Sequence, residues 1–179
     1  MTGEHGVEAL DALAARDSEA LVSRLASCCG ARRWAQEMTR RAPFGTEDWL
    51  FRAAEEVADL LETEDWLEAF RHHPRIGDVE SPRARFGARA GGWSAGEQAG
   101  IDGAGEELIR RLAAANHRYE DRFGHLFVVC ATGKGAAEVL EILEGRLAND
   151  PETELAVASG EQRRITRLRL EKLLCDEAP

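Results

Sequence analysis

A histidine held on a rigid backbone is the first residue in this chain that invites chemistry. In Phe70-Arg71-His72-His73-Pro74-Arg75-Ile76-Gly77-Asp78 an amphipathic helical pattern arrives at a His-Pro and has to stop. Proline at 74 biases His73 away from the α region toward extended backbone, which mounts the imidazole on a helix-exit corner. An ordinary histidine titrates at about pH 6.5, so a ring held there can exchange a proton near neutrality. A structural reading stands beside this one, because histidines near helix ends bond the last carbonyls and complement the dipole. His72, still on the helix, fits that second reading. The fixed exit and the long segment after it set His73 apart.

Three other pieces could join that corner. Ser94-Ala95-Gly96-Glu97, followed by Gln98, matches a capping box in which serine and glutamate satisfy each other's helix-start amides. The same helix start is also a ready site for a carboxylate. Arg169 is the least ordinary residue of the last helix, since Leu155, Ala158, Gln162, Ile165, Arg169 and Leu173 follow steps of three or four along one mainly apolar stripe. Arginine is rarely buried unpaired, so Arg169 reads either as a structural ion pair with a core carboxylate or as an anion clamp. Phe127-Val128-Val129-Cys130-Ala131 is a short apolar run between Gly124 and Thr132-Gly133-Lys134-Gly135, with no convincing second strand to pair with it, so its backbone groups need other partners. Gly133-Lys134-Gly135 lacks the spacing of a phosphate loop. His72, His73 and Asp78 make only a partial metal set.

The elements that must carry these residues read as helices. The segment 1–17 is Ala-rich and acidic, with Leu10 and Leu13 as strong anchors, and predicts a loosely held or short helix. Leu21, Leu25 and Cys28 predict a helix over 18–29 with Gly30 as its left-handed stop, and 31–41, with Trp34 and Met38, completes an α-hairpin. Thr46-Glu47-Asp48 starts a helix whose Leu50, Ala53, Ala54, Val57, Leu60 and Leu61 share a face, and Thr63-Glu64-Asp65 starts the one that ends at His73. Residues 79–92, with Ser81-Pro82, three arginines and Gly91-Gly92, read as a basic flap. Helices are then expected over 94–101, 107–123 and 136–148, and Asp150-Pro151 begins a last one reaching about 174. The expected fold is all-α: a single-domain helix bundle over 1–179 with one extended segment near 125–131.

Composition narrows the function. A length of 179 residues, 44% of them hydrophobic, suits one globular domain with a proper core, and a formal charge of −10 opposes nucleic-acid binding. No run reaches the length of a membrane span, and the first ten residues carry no apolar signal. Cys28, Cys29, Cys130 and Cys175 have neither zinc spacing nor a Cys-x-x-Cys, and read as buried thiols in a reducing cytosol. Leu168, Leu170, Leu173 and Leu174 spread around more than one side of the last helix, which predicts a homodimer.

Trp66 through His73-Pro74, Ser94-x-x-Glu97-Gln98, Asn116-x-x-Tyr119-x-x-Arg122-Phe123-Gly124, Phe127 to Ala131 and Arg167-Leu168-Arg169-Leu170 together resemble the 2-oxo-4-hydroxy-4-carboxy-5-ureidoimidazoline (OHCU) decarboxylase family, in order from about residue 18 to 174. The chain departs from many relatives in reading His73-Pro74-Arg75-Ile76 where they have His-Pro-Asp-Leu, a variant associated with the bacterial branch. The resemblance implies a dimeric, all-helical, cofactor-free and metal-free lyase that converts a late intermediate of urate breakdown to (S)-allantoin. It further implies His73 as catalytic acid/base with Glu97 beside it, and substrate contacts from Pro74, Ser94, Ala95, Gly96, Gln98, the backbone of Phe127, Val128, Val129, Cys130 and Ala131, and Arg169. Two rivals come from other classes: a non-catalytic helical interaction domain, and a metal hydrolase using His72, His73 and Asp78.

Overall fold

Apolar residues recurring every three or four positions carry nearly every element, and the element ends are set by identifiable caps. The computed structural model describes the backbone of residues 2–74 and 95–176 and the side chains of 4–74 and 105–176. Among these residues are eight helices and no strand, an all-α architecture. In chain order they are α1 (Thr2–Arg16), α2 (Ser18–Cys29), α3 (Arg32–Arg40), α4 (Glu47–Ala58), α5 (Thr63–Arg71), α6 (Ala95–Phe123), α7 (Ala136–Arg146) and α8 (Pro151–Asp176). The predicted flap at 79–92 lies outside the described residues. The chain divides into two compact units, Met1–His72 with Ser159–Pro179, and His73–Ala158.

In the first unit α2 and α3 form the expected hairpin, burying Leu21, Leu25, Cys28, Trp34 and Met38. The Trp34 indole N–H donates to the Ala54 carbonyl of α4 at 3.2 Å, so the large ring is buried without an orphan donor. Helix α1 is longer and better anchored than the sequence suggests. Val7 and Leu10 are fully buried, and the Asp11 carboxylate accepts the amides of Phe44 at 2.6 Å and Gly45 at 2.8 Å. Gly6 explains the fit: a Cβ there would fall 2.4 Å from the Leu174 carbonyl oxygen, so only glycine lets α1 and α8 approach this closely.

Other boundaries differ in instructive ways. Helix α5 begins from Glu62, whose side chain forms a reciprocal capping box with Asp65, one residue before the expected Thr63. Leu60 follows the end of α4 and is exposed, so it leaves the face that Leu50, Ala53 and Val57 share. The helices expected over 94–101 and 107–123 are one 29-residue helix, α6. Glycines at 103 and 105 weaken helix propensity by roughly 1 kcal/mol each but remove no backbone donor, so they do not interrupt it. The leucines that motivated a dimer are largely covered within the unit: Leu170, Leu173 and Leu174 are buried and only Leu168 is exposed.

The second unit packs α6 against α7. Leu112, Ala115, Tyr119, Phe127, Val129, Val139, Leu140 and Leu143 form its core, with Leu108, Phe123 and Leu147 around the edge. Gly124 ends α6 in the left-handed region at φ 73°, and Asp150 caps α8 by accepting the amides of Glu152 and Thr153. Those bonds hold the Asp150 carboxyl below its usual range.

All four thiols are free, but only Cys28 and Cys29 are buried; Cys130 is half-buried and Cys175 exposed, correcting the expectation of four buried thiols. Burial pushes both α2 thiols up from 9.0, Cys29 to about 11. A raised folded value favours the neutral thiol, so this contribution is whole below about pH 9 and is lost as pH rises through about 11. Alkylation of the native protein should therefore label Cys175 first and reach Cys28 and Cys29 only on unfolding, as read by peptide mass spectrometry. Urea unfolding should show stability falling across that same alkaline window.

Candidate active site

Helix α5 buries Trp66, Ala69 and Phe70 and is left by way of His72, whose φ of −82° and ψ of 1° end the helix as the following His-Pro requires. His73 is half-buried and Pro74 exposed, both outside any helix. Gly30 lies against this exit. At φ 93° it terminates α2, and an added Cβ would meet the Ala69 carbonyl oxygen and the His72 Cβ at 3.1 Å each. The glycine thus serves both a left-handed cap and a close helix approach.

The last four carbonyls of α2 have no partner within the helix, and each is met from elsewhere. Ala26 accepts the Gly30 amide at 2.8 Å, and Cys29 accepts the Gln162 side-chain amide at 3.0 Å. Ser27 and Cys28 both accept from Arg169 Nη1, at 3.4 and 3.2 Å. Among the described residues Arg169 is held by two carbonyls and by no carboxylate, in contrast to its structural reading. It sits half-exposed at the negative end of α2, where a cation is favoured. Both bonds leave from Nη1, and among the described residues Nε and Nη2 make no hydrogen bond. That leaves one edge of a planar fork, the edge that suits a carboxylate.

The stretch 126–131 is neither helix nor strand. Phe127, Val128 and Val129 are buried, while Cys130 and Ala131 are half-buried. Its carbonyls are not all open for recognition, since Arg146 Nη1 donates to Val128 O at 2.8 Å. Arg146 Nε also donates to Glu154 Oε1 at 2.8 Å, Tyr119 donates its hydroxyl to the same carboxylate, and Asn149 Nδ2 donates to Oε2 at 2.7 Å. Burial, then the Glu154 carboxylate, push the Tyr119 phenol far up, so it stays a donor. The sequence reading missed this buried set. The signal was present: Val139, Leu143 and Arg146 share one face of α7 as Arg169 shares a face of α8, and Glu154 begins the buried stripe of α8.

Ala95, Gly96, Glu97 and Gln98 lie on the first turn of α6; their side chains, all of Ser94 and Asp78 lie outside the described residues. Among the described residues no group of three His, Cys, Asp or Glu is arranged to hold a metal ion. A small recess in the first unit, lined by Trp34, Phe51, Trp66, Arg163 and Arg167 among others, contains none of the predicted site residues.

A family model described as OHCU decarboxylase matches residues 14–171. The chain belongs to the OHCU decarboxylase family. It is 30% identical to the 2-oxo-4-hydroxy-4-carboxy-5-ureidoimidazoline decarboxylase of Amia calva, covering 74% of each chain. It is 35% identical to the uric acid degradation bifunctional protein TTL of Arabidopsis thaliana, over 84% of this chain and 46% of that protein. The chain thus spans less than half the length of that bifunctional relative. Among solved structures, a crystal structure of OHCU decarboxylase in the presence of (S)-allantoin matches with TM-score 0.68 and 33% identity, covering 83% of this chain and 95% of that one. A structure of (S)-allantoin synthase, at 19% identity and TM-score 0.65, shares the fold.

In this member of the OHCU decarboxylase family, α2's C-terminus is a shared seat, with Arg169 bonded to its carbonyls and the α5 exit packed on its glycine. Arg169→Met should lower stability by about 1–2 kcal/mol, the scale of charged hydrogen bonds to a half-exposed helix end, rather than the roughly 3–5 kcal/mol of a stranded buried carboxylate. Gly30→Ala should cost more than about 1 kcal/mol, since it combines a left-handed backbone with two contacts at 3.1 Å. Urea unfolding of both variants measures this.

Proposed function

We propose that this chain catalyses the decarboxylation of 2-oxo-4-hydroxy-4-carboxy-5-ureidoimidazoline to (S)-allantoin and CO2. The observation that carries the reading is the family match running through 14–171, together with 33% identity across nearly the whole of a decarboxylase structure obtained with (S)-allantoin. In the proposed substrate the carboxylate sits on a carbon next to a ring C=N. When the C–C bond breaks and CO2 leaves, the electron pair forms a C=C bond to the neighbouring carbon and the C=N pair moves onto nitrogen, which takes a proton. The hydroxyl then loses its proton to become the ring carbonyl as a proton is delivered to one face of the carbon bearing the ureido group. The substrate supplies its own electron sink, so the reading needs no cofactor or metal.

His73 is assigned the proton transfer, supported by its half-buried position just beyond a fixed helix exit. Glu97 is assigned to orient the imidazole or bond the ring. Arg169 is assigned to the substrate's anionic or carbonyl oxygen, supported by its open Nε–Nη2 edge. Pro74, Ser94, Ala95, Gly96, Gln98 and the run from Phe127 to Ala131 are assigned to substrate contact, with the carbonyls of Val128 and Ala131 already accepting from Arg146 and the Lys134 amide. One functional domain embraces both units in this reading, as the single family match passes through each. The working form is proposed to be a homodimer in the cytoplasm, the latter supported by four free thiols. No helix of the described residues is long and apolar enough to cross a membrane.

The test generates the unstable intermediate in situ from urate and follows optically active allantoin. His73→Gln should fold and bind (S)-allantoin but lose ~10²–10⁴-fold in turnover. Full activity in the folded variant would remove His73 from the chemistry. Sedimentation at micromolar concentration should give twice the 19.7 kDa chain mass, and a monomer would end the dimer proposal.

A further inference from the structure

We infer that Arg146 is a positioning residue for the proposed reaction: its guanidinium pins the Val128 carbonyl and so fixes the run Phe127–Ala131 in the form that meets substrate. The inference rests on the reading above, in which that run contacts the substrate. A polar heterocycle read by backbone groups needs a backbone that does not move, and 126–131 has no helix or ladder to hold it. Its restraint comes from the side. Arg146 reaches Val128 O at 2.8 Å, and its Cζ stands 4.7 Å from the centroid of the Phe127 ring. One side chain therefore grips a carbonyl and a neighbouring ring of the same run.

The guanidinium is itself fixed on every side. Glu154, completely buried, accepts from Nε at 2.8 Å, and Nη2 lies 3.3 Å from the Tyr119 hydroxyl. Asn149 occupies the other Glu154 oxygen, and Arg122 Nη2 donates to the Asn149 carbonyl at 2.9 Å. Helices α6, α7 and α8 thereby converge on one planar group, which delivers Nη1 to the Val128 carbonyl. Stability alone explains this poorly, since a buried ion pair replaced by apolar residues of similar volume is often neutral or better. A rigid donor aimed at Val128 is what the apolar substitute would lack.

Two variants separate position from stability. Arg146→Lys keeps the charge beside Glu154 but, as a point donor, cannot span Glu154 and Val128 together. Arg146→Met with Glu154→Leu removes both charges, stranding neither. Thermal melting identifies which variants fold. Folded variants should show KM raised on the order of 10–100-fold with kcat changed less than about threefold, the pattern of lost uniform binding. Amide exchange should accelerate at Val128–Ala131 and stay unchanged in the α6 core from Leu112 to Tyr119. Wild-type KM in a folded variant overturns the inference, and so does loss of fold in both, which would assign Arg146 to stability alone. A wild-type chain that forms no allantoin rejects the activity reading instead. The clamp is then judged by exchange: unaltered protection of 128–131 in Arg146→Lys overturns it, and acceleration upholds it.

Discussion

Carbonyls at the C-terminus of α2 tie that helix to α8 in the first unit. A helix leaves its last four carbonyls without intrahelical partners, and at this half-exposed end donors from beyond the helix meet them. One comes from Gly30, and the rest come from Gln162 and Arg169 of α8. Those two residues are seven apart, two helical turns, so a single face of α8 presents both. The register of α8 against α2 follows from this pairing. Gly6 requires similar closeness five residues beyond Arg169, near the C-terminal end of α8, where α1 meets Leu174 with no room for a side chain.

The same helix end carries a functional consequence. Because Arg169 is anchored through Nη1, the direction of its remaining edge is set by a backbone and not by a mobile carboxylate. For the substrate-binding role proposed for Arg169, holding the guanidinium in advance would lower the entropy lost on binding. Gly30 couples this to α5, since its missing side chain is what admits the Ala69–His72 turn. One capped terminus thereby serves as footing for an arginine and for the turn that precedes the candidate proton donor.

The second unit uses polar groups where the first uses close backbone approach. Its apolar cluster packs α6 on α7, and within it Tyr119 bonds to Glu154, which with Arg146 is also buried. Such a set is costly unless every member is satisfied, and here no buried side-chain polar atom among the described residues lacks a partner. What the network adds is direction: it holds the middle of a run that has no secondary structure of its own.

Periodicity and caps made most of the helices legible. Gly30, Thr46, Gly124 and Asp150 act where the sequence places them, and the His-Pro ends α5 as proline geometry dictates. These are local effects, decided within one turn of chain. Tertiary structure decided what depends on partners distant in sequence. The anchoring of α1 at Gly6 and the covering of Leu170, Leu173 and Leu174 each need a neighbouring element to settle them. Arg169 shows the limit most plainly. Its place on an apolar stripe announced an arginine that had to be paired, and that much the chain by itself determined. Whether the pair was a carboxylate, a substrate or two carbonyls 141 and 142 residues away was a matter of which helix end α8 meets, a contact that no local pattern encodes.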